Sequence, residues 1–318
     1  MTKRIDFILK INKTSVFYQT MMLTFSSLML QILLFAYRII ITRFSGAGGM
    51  GIYQLAIPYY SIIASIALAG ITMAVTRLTV EKTAVDDKKS TQTIMQTALR
   101  MFLFMISASA AVTFIFPDFI AGNILGDVRT KACMLLFVPC LFFTGFENIY
   151  KSFFYGVKYV KPNIISENTE ISLRIILIFI LLYLNQSSLT PEKTAFLIVL
   201  AMTISEVFSF TFLGLYYKIY QKKLSSLSNS ENSSYSAKRK NKKSIFSEII
   251  RIAVPISASS LLMTIISSVN TILIPKRLVV SGMTQTQAIE TLGILMGMTA
   301  PASVKQRLNK FMVYLRFV

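Results

Sequence analysis

Six ionisable side chains stand inside or at the edges of otherwise apolar stretches: Arg38, Arg43, Arg77, Glu170, Arg174 and Glu206. A charge placed in hydrocarbon costs about 2.5–3.5 kcal/mol on insertion scales, so it needs a partner or a wet cavity. Glu170 and Arg174 sit at i and i+4, with the glutamate N-terminal, the favourable order for an ion pair along a helix. That pair can serve structure alone, by letting both charges enter the membrane together. Arg43 and Arg77 fall where apolar runs end and can anchor those ends by snorkelling. Arg38 and Glu206 have no opposite charge within their own helical turn. They must meet one on another helix, reach water or, for Glu206, carry a proton. Arginines lining a cavity suit an anionic ligand such as a phosphate or pyrophosphate headgroup.

The remaining chemistry-bearing residues point away from catalysis. The chain has no histidine, so the commonest general base and metal ligand is missing. Its two cysteines, Cys133 and Cys140, lie seven apart on one helical face, as core residues do. There is no aspartate cluster for a metal and no serine or cysteine with a base placed to activate it. The run Gly46-Ala47-Gly48-Gly49-Met50-Gly51 lacks the lysine and the preceding strand of a phosphate-cradling loop. It reads as a tight turn between two helices. The sequence thus calls for no enzyme activity, no cofactor and no metal.

The elements that carry these residues are long apolar helices. Hydrophobic residues make up 54% of the 318, charged residues 15%, and the mean hydropathy is +0.61. A bilayer span needs roughly 20 apolar residues. Seven stretches qualify: Val16–Ile41, Tyr53–Leu78, Thr93–Phe116, Ala132–Tyr155, Ile164–Leu184, Thr194–Tyr217 and Ile249–Pro275. An eighth begins near Gln287 and fails near Ala300. The runs are continuous rather than alternating, which excludes a transmembrane barrel. The first run is about twice as long as the apolar core of a cleavable signal and remains as a span. The fold class is an all-α integral membrane protein.

The net charge of +19 follows topology rather than nucleic acid. With the N-terminus inside the cell, most of the lysines and arginines fall on cytoplasmic segments, including Lys82, Lys88, Lys89, Lys158, Lys161 and the run around Lys238–Lys243. The outer segments keep few, such as Arg129, Lys131 and Lys193, and this asymmetry sets the orientation. Gln221–Glu248 is rich in Ser, Asn and Lys and too poor in apolar surface to fold. Its basic run suits anionic membrane lipid. The chain therefore divides into a six-helix block, 1–220, a basic linker, 221–248, a further helical segment, 249–300, and a basic tail, 301–318. The tail mixes Lys305, Arg307, Lys310 and Arg316 with Leu308, Phe311, Met312 and Phe317, as a short interfacial helix does.

Several stretches together resemble the stage V sporulation protein B family, in the polysaccharide-flippase branch of the MATE-like multidrug/oligosaccharidyl-lipid/polysaccharide (MOP) exporter superfamily. They are Tyr37-Arg38-Ile39-Ile40-Ile41-Thr42-Arg43 with the glycine run through Leu55 and Pro58, and Ala74-Val75-Thr76-Arg77-Leu78 with Glu81. They continue with Phe153-Phe154-Tyr155-Gly156 through Pro162, Ser166, Glu170 and Arg174, then Arg251–Ile256, Pro275–Leu278 and Leu292–Met298. The resemblance implies about fourteen helices in two pseudo-symmetric lobes around a central cavity, working by alternating access. It implies transport of undecaprenyl-pyrophosphate-linked precursors of peptidoglycan or related polymers. Arg38, Arg43, Arg77, Glu170 and Arg174 would meet the pyrophosphate or hold the first lobe together.

The family pattern has an acidic residue in helix 7 where this sequence has Asn270, and the resemblance ends after Met298. The expectation is a complete first lobe with the start of a second, inserted but inactive alone, and either rapidly degraded or completed by a separately encoded half. The alternatives are a drug or polymer exporter of the same superfamily, or a membrane scaffold that does not transport.

Overall fold

The computed structural model describes residues 15–85, 87–185, 189–228 and 242–298. Every predicted span lies on a helix. α1 runs Ser15–Ala64, α2 Gly70–Ala84, α3 Lys88–Ile115, α4 Lys131–Gly156, α5 Lys161–Leu184, α6 Pro191–Ser228, α7 Lys242–Val280 and α8 Gln285–Leu292. A π-helical turn, Ser65–Ala69, joins α1 to α2, and another, Gly293–Met298, continues α8. The predicted interfacial helix in 301–318 and residues 229–241, which hold the basic run up to its last two lysines, lie outside the described residues.

Among the described residues, five helical stretches are long and apolar enough to cross a membrane. One of them, Thr20–Ala84, is 65 residues long. At about 1.5 Å per residue it would far outreach a hydrocarbon core of about 30 Å if straight. Gly46 divides it: φ +60 and ψ −176 take the chain out of the helix and re-aim it. Only a residue without a Cβ adopts that geometry cheaply. The sequence predicts one turn across all of Gly46–Gly51, and here the structure differs, because Ala47–Gly51 are helical. Their glycines serve close packing: a Cβ on Gly51 would fall 2.1 Å from the Ile289 carbonyl oxygen of α8. α5 falls outside the five stretches, and Glu167, Glu170 and Arg174 all lie within it.

Local sequence sets the helix ends. Asp87 caps α3 by accepting from the Ser90 backbone N–H at 3.0 Å, and Thr284 with Gln287 forms a capping box before α8. Each cap satisfies donors that the first turn leaves without partners. Helix runs further into 221–248 than its composition suggests, since α6 reaches Ser228 and α7 starts at Lys242. Gln221, Lys222 and Lys223 are straight-chain residues that lose little rotamer freedom in a helix.

α4 is the hub. Cys133, Phe137, Cys140, Leu141, Ile149 and Phe153 are all buried on it, so the two cysteines pack in the core as their spacing predicts. The outer surface carries large exposed apolar side chains, among them Phe104, Phe114, Ile115, Leu184, Leu262 and Met263. A soluble protein rarely exposes so many large apolar side chains, whereas lipid tails accept them.

Candidate functional site: a buried ion network

Three of the charges that the sequence places inside the membrane, Glu170, Arg174 and Glu206, meet in a network built from three helices. Arg174, at the middle of α5, donates from a terminal guanidinium nitrogen to Glu170 one turn back and to Glu206 of α6 at 3.0 Å. Its Nε donates to Ser205 Oγ at 3.0 Å. Lys151 of α4 reaches Glu147 Oε1 at 2.6 Å, Glu167 at 3.5 Å and Glu170 Oε2 at 3.9 Å. Ser209 of α6 donates to Glu147 at 2.7 Å and shares a short hydrogen bond with Ser166 of α5. Glu147, Glu170, Arg174 and Glu206 are all buried. Burying charges this way costs several kcal/mol per ion unless each is paired and hydrogen-bonded, and here nearly every group has such a partner.

Two polar atoms stand apart within this centre. Glu206 Oε2 and the Tyr37 hydroxyl are buried with no hydrogen-bond partner among the described residues. Glu147, Glu170 and Glu206 each bring a carboxylate oxygen within 4.8 Å of the others, a grouping that offers oxygen ligands to a hard cation. Lys151 and Arg174 already stand among those oxygens and supply positive charge that a metal would otherwise bring. The arrangement is an ion-pair network tying α4, α5 and α6 into one unit.

Of the six residues singled out from the sequence, the network gathers Glu170, Arg174 and Glu206. Glu206, without an opposite charge within its own helical turn, finds one in Arg174. Arg38, Arg43 and Arg77 stand elsewhere. Arg38 and Arg43 are exposed on α1 and make no hydrogen bond or ion pair among the described residues. Arg77 pairs with Glu81 at 3.3 Å on the surface of α2, where such a bridge is worth at most about 1 kcal/mol. Asn270, where the resemblance leads one to expect an acid, is exposed on α7.

Lys151 is the residue that sequence reasoning misses, because it groups with Lys158 and Lys161 as a loop cation. The signal is nevertheless present. Glu147 and Lys151 repeat the i, i+4 order of Glu170 and Arg174, with the acid N-terminal in both.

Long apolar helices, large apolar side chains exposed on the surface and a buried network of paired charges define a multi-pass helical membrane protein. The fold matches a solved multidrug resistance MATE family transporter of the MOP superfamily in its inward-facing conformation. The TM-score is 0.58 at 14% identity, over 84% of this chain and 62% of that one. The chain belongs to the polysaccharide biosynthesis protein family, whose profile matches residues 17–308. It is 24% identical over 159 residues to the stage V sporulation protein B of Bacillus subtilis (strain 168). That match takes in 50% of this chain and 31% of the relative, so the chain spans about a third of that relative's length.

Proposed function

We propose that this chain is the first lobe of a transporter that moves an undecaprenyl-pyrophosphate-type lipid-linked saccharide across the membrane. Transport rather than catalysis is the activity, and the lobe works with a second half encoded in the same or a separate polypeptide. Family membership over residues 17–308 carries this reading. The lobe's own chemistry supports it. Arg174 donates to Glu170, Glu206 and Ser205 and so ties α5 to α6. Arg38 and Arg43 are cations with no internal partner and are free to meet an anionic headgroup. Arg77, tied to Glu81, contributes less. The N-terminus faces the cytoplasm in this reading, with the lysine-rich connections on the same side.

Binding of radiolabelled undecaprenyl pyrophosphate to the chain in nanodiscs tests the assignment. Arg38→Ala and Arg43→Ala are expected to weaken binding about tenfold or more, as loss of a charge-assisted contact to phosphate does. Arg38→Lys should recover only part, because an ammonium lacks the two-pronged guanidinium geometry. Wild-type affinity in both alanine variants would remove the arginines from the site. Absence of binding to the wild-type chain would remove the transport reading.

A further inference from the structure

One intramembrane cation stands outside the sites described so far. Arg100 lies on α3, within the predicted span Thr93–Phe116, and is exposed on the surface of the bundle. The opposite face of the helix is buried, through Ile94, Met95, Ala98, Phe102 and Ile106, and packs against α2 and α4. Gln96 stands one turn before Arg100 on the exposed face. Neither side chain makes a hydrogen bond or ion pair among the described residues. α3 itself contains no acidic residue.

Depth makes this arrangement costly. Gln92, two turns nearer the helix start, donates to Gln221 near the end of α6, and Gln221 donates to the Tyr217 hydroxyl at 2.8 Å. Tyr217, Tyr220 and the exposed Lys218 and Lys222 mark this level as the membrane interface, where tyrosines and cations collect. At about 1.5 Å per residue, Arg100 lies about 12 Å deeper. Its stem leans back toward the N-terminus of α3, as helical side chains do, and snorkelling regains part of that distance. A guanidinium facing hydrocarbon still needs an anion or water, and no acidic side chain among the described residues pairs with it.

The anion of that phase is the phosphate of a lipid. The two-pronged guanidinium suits a phosphate diester, and the Gln96 carboxamide adds a donor one turn toward the interface. Deeper on the same face Ser107 and Ala111 are small and exposed, and Leu103, Phe104 and Phe114 stand out on either side of them along the helix. That relief offers an acyl chain a shallow trough directly beyond the phosphate contact. Arg38 and Arg43 lie on α1, toward the opposite side of the membrane, so the two sets of arginines face different leaflets.

We propose that α3 carries a site for one anionic glycerophospholipid of the leaflet on the lysine-rich side. Arg100 and Gln96 hold its phosphate, and the face from Leu103 to Phe114 holds an acyl chain. The lipid supplies the counter-charge that the described residues do not, and it fixes α3 at its depth. The site is separate from any cargo and does not depend on the transport reading.

The test places the purified full chain in nanodiscs that mix phosphatidylcholine with phosphatidylglycerol of the same acyl chains. Native mass spectrometry reads the lipids that stay on the protein. Wild type is expected to retain phosphatidylglycerol about tenfold over phosphatidylcholine, as one charge-assisted contact allows. Arg100→Gln should bring that ratio close to one, Arg100→Lys should keep part of it, and Gln96→Leu should lower it part of the way. Lys218→Gln, which removes a cation at the interface, should leave it unchanged. In phosphatidylcholine alone Arg100→Gln should melt as wild type does, and a lower melting temperature there would give Arg100 a protein contact and overturn the site. No preference in wild type also overturns it, and an equal loss in Lys218→Gln replaces it with diffuse surface charge. Displacement of the phospholipid by added undecaprenyl pyrophosphate would assign Arg100 to cargo, and wild-type dimers that Arg100→Gln dissolves would assign it to a second copy. Either result overturns the proposal.

Discussion

Arg174 of α5 meets Glu206 of α6 at 3.0 Å in the buried centre of the bundle, although the two are separated by 32 positions in sequence. The contact gives Glu206 its counter-charge and ties α5 to α6. Because Arg174 also holds Glu170 and Ser205, one guanidinium satisfies acceptors on both helices. Its planar fork of five N–H groups is what allows this.

Replacing Arg174 should therefore hurt stability before it touches ligand binding. Arg174→Gln leaves Glu206 without its cation and Glu170 with only the longer Lys151 contact at 3.9 Å, and breaking a buried pair from one side costs about 3–5 kcal/mol. A large drop in detergent melting temperature is expected, with Arg174→Lys intermediate. A variant as stable as wild type would show that the network does not hold the lobe together.

Lys151 offers a sharper version of the same test. Lys151→Met leaves Glu147, which is 1% exposed, without its nearest cation and should destabilise strongly. The double variant Lys151→Met with Glu147→Gln removes both charges. It should recover part of the loss, because the penalty comes mainly from the charge left alone. Additive losses in a double-mutant cycle would argue that Lys151 and Glu147 do not act as a pair.

The spans were readable because hydrophobic length is a local property: each of the seven stretches lies on a helix, and the cysteine spacing placed both thiols in the core. Glu170 and Arg174 were readable for the same reason, since one helical turn separates them. Glu206 was visible as a charge in need of a partner, but the partner's identity depends on how α5 and α6 pack, and no local pattern states that. Lys151 was hidden by position. It lies near a helix end beside Lys158 and Lys161, and only the fold turns its side chain inward. The glycine run misled in the opposite direction, because glycine marks both turns and close helix contacts. Only Gly46 among Gly46–Gly51 has positive φ.

Close contact predicts a further packing effect. A Cβ on Gly145 of α4 would lie 1.9 Å from the ring of Phe102 on α3, a side chain that is fully buried. Gly145→Ala should cost about 1–3 kcal/mol through overpacking, read as a lower melting temperature. Phe102→Leu in the same chain should relieve the clash, so that the double variant is more stable than the sum of single effects gives. A neutral Gly145→Ala would mean that α3 and α4 sit further apart than described.

The last prediction concerns the side of the membrane on which each connection lies. Successive spans reverse direction, so the connections after α2, α4 and α6 share one side, and those after α3 and α5 share the other. Lys82, Lys158, Lys161, Lys218 and Lys222 flank the first set, whereas Arg129, Lys131 and Lys193 flank the second. Positive residues near span ends are retained in the cytoplasm, so the first set should be inside. Thiol labelling with an impermeant reagent in intact cells decides it. The background is a Cys133→Ala, Cys140→Ala chain, both native thiols being fully buried. Asn123→Cys, exposed between α3 and α4, should label readily in intact cells, and Ser230→Cys only after the membrane is permeabilised. The reverse pattern would invert the protein, setting the lysine-rich connections outside and moving Arg38 and Arg43, near the far end of the first span, to the cytoplasmic leaflet.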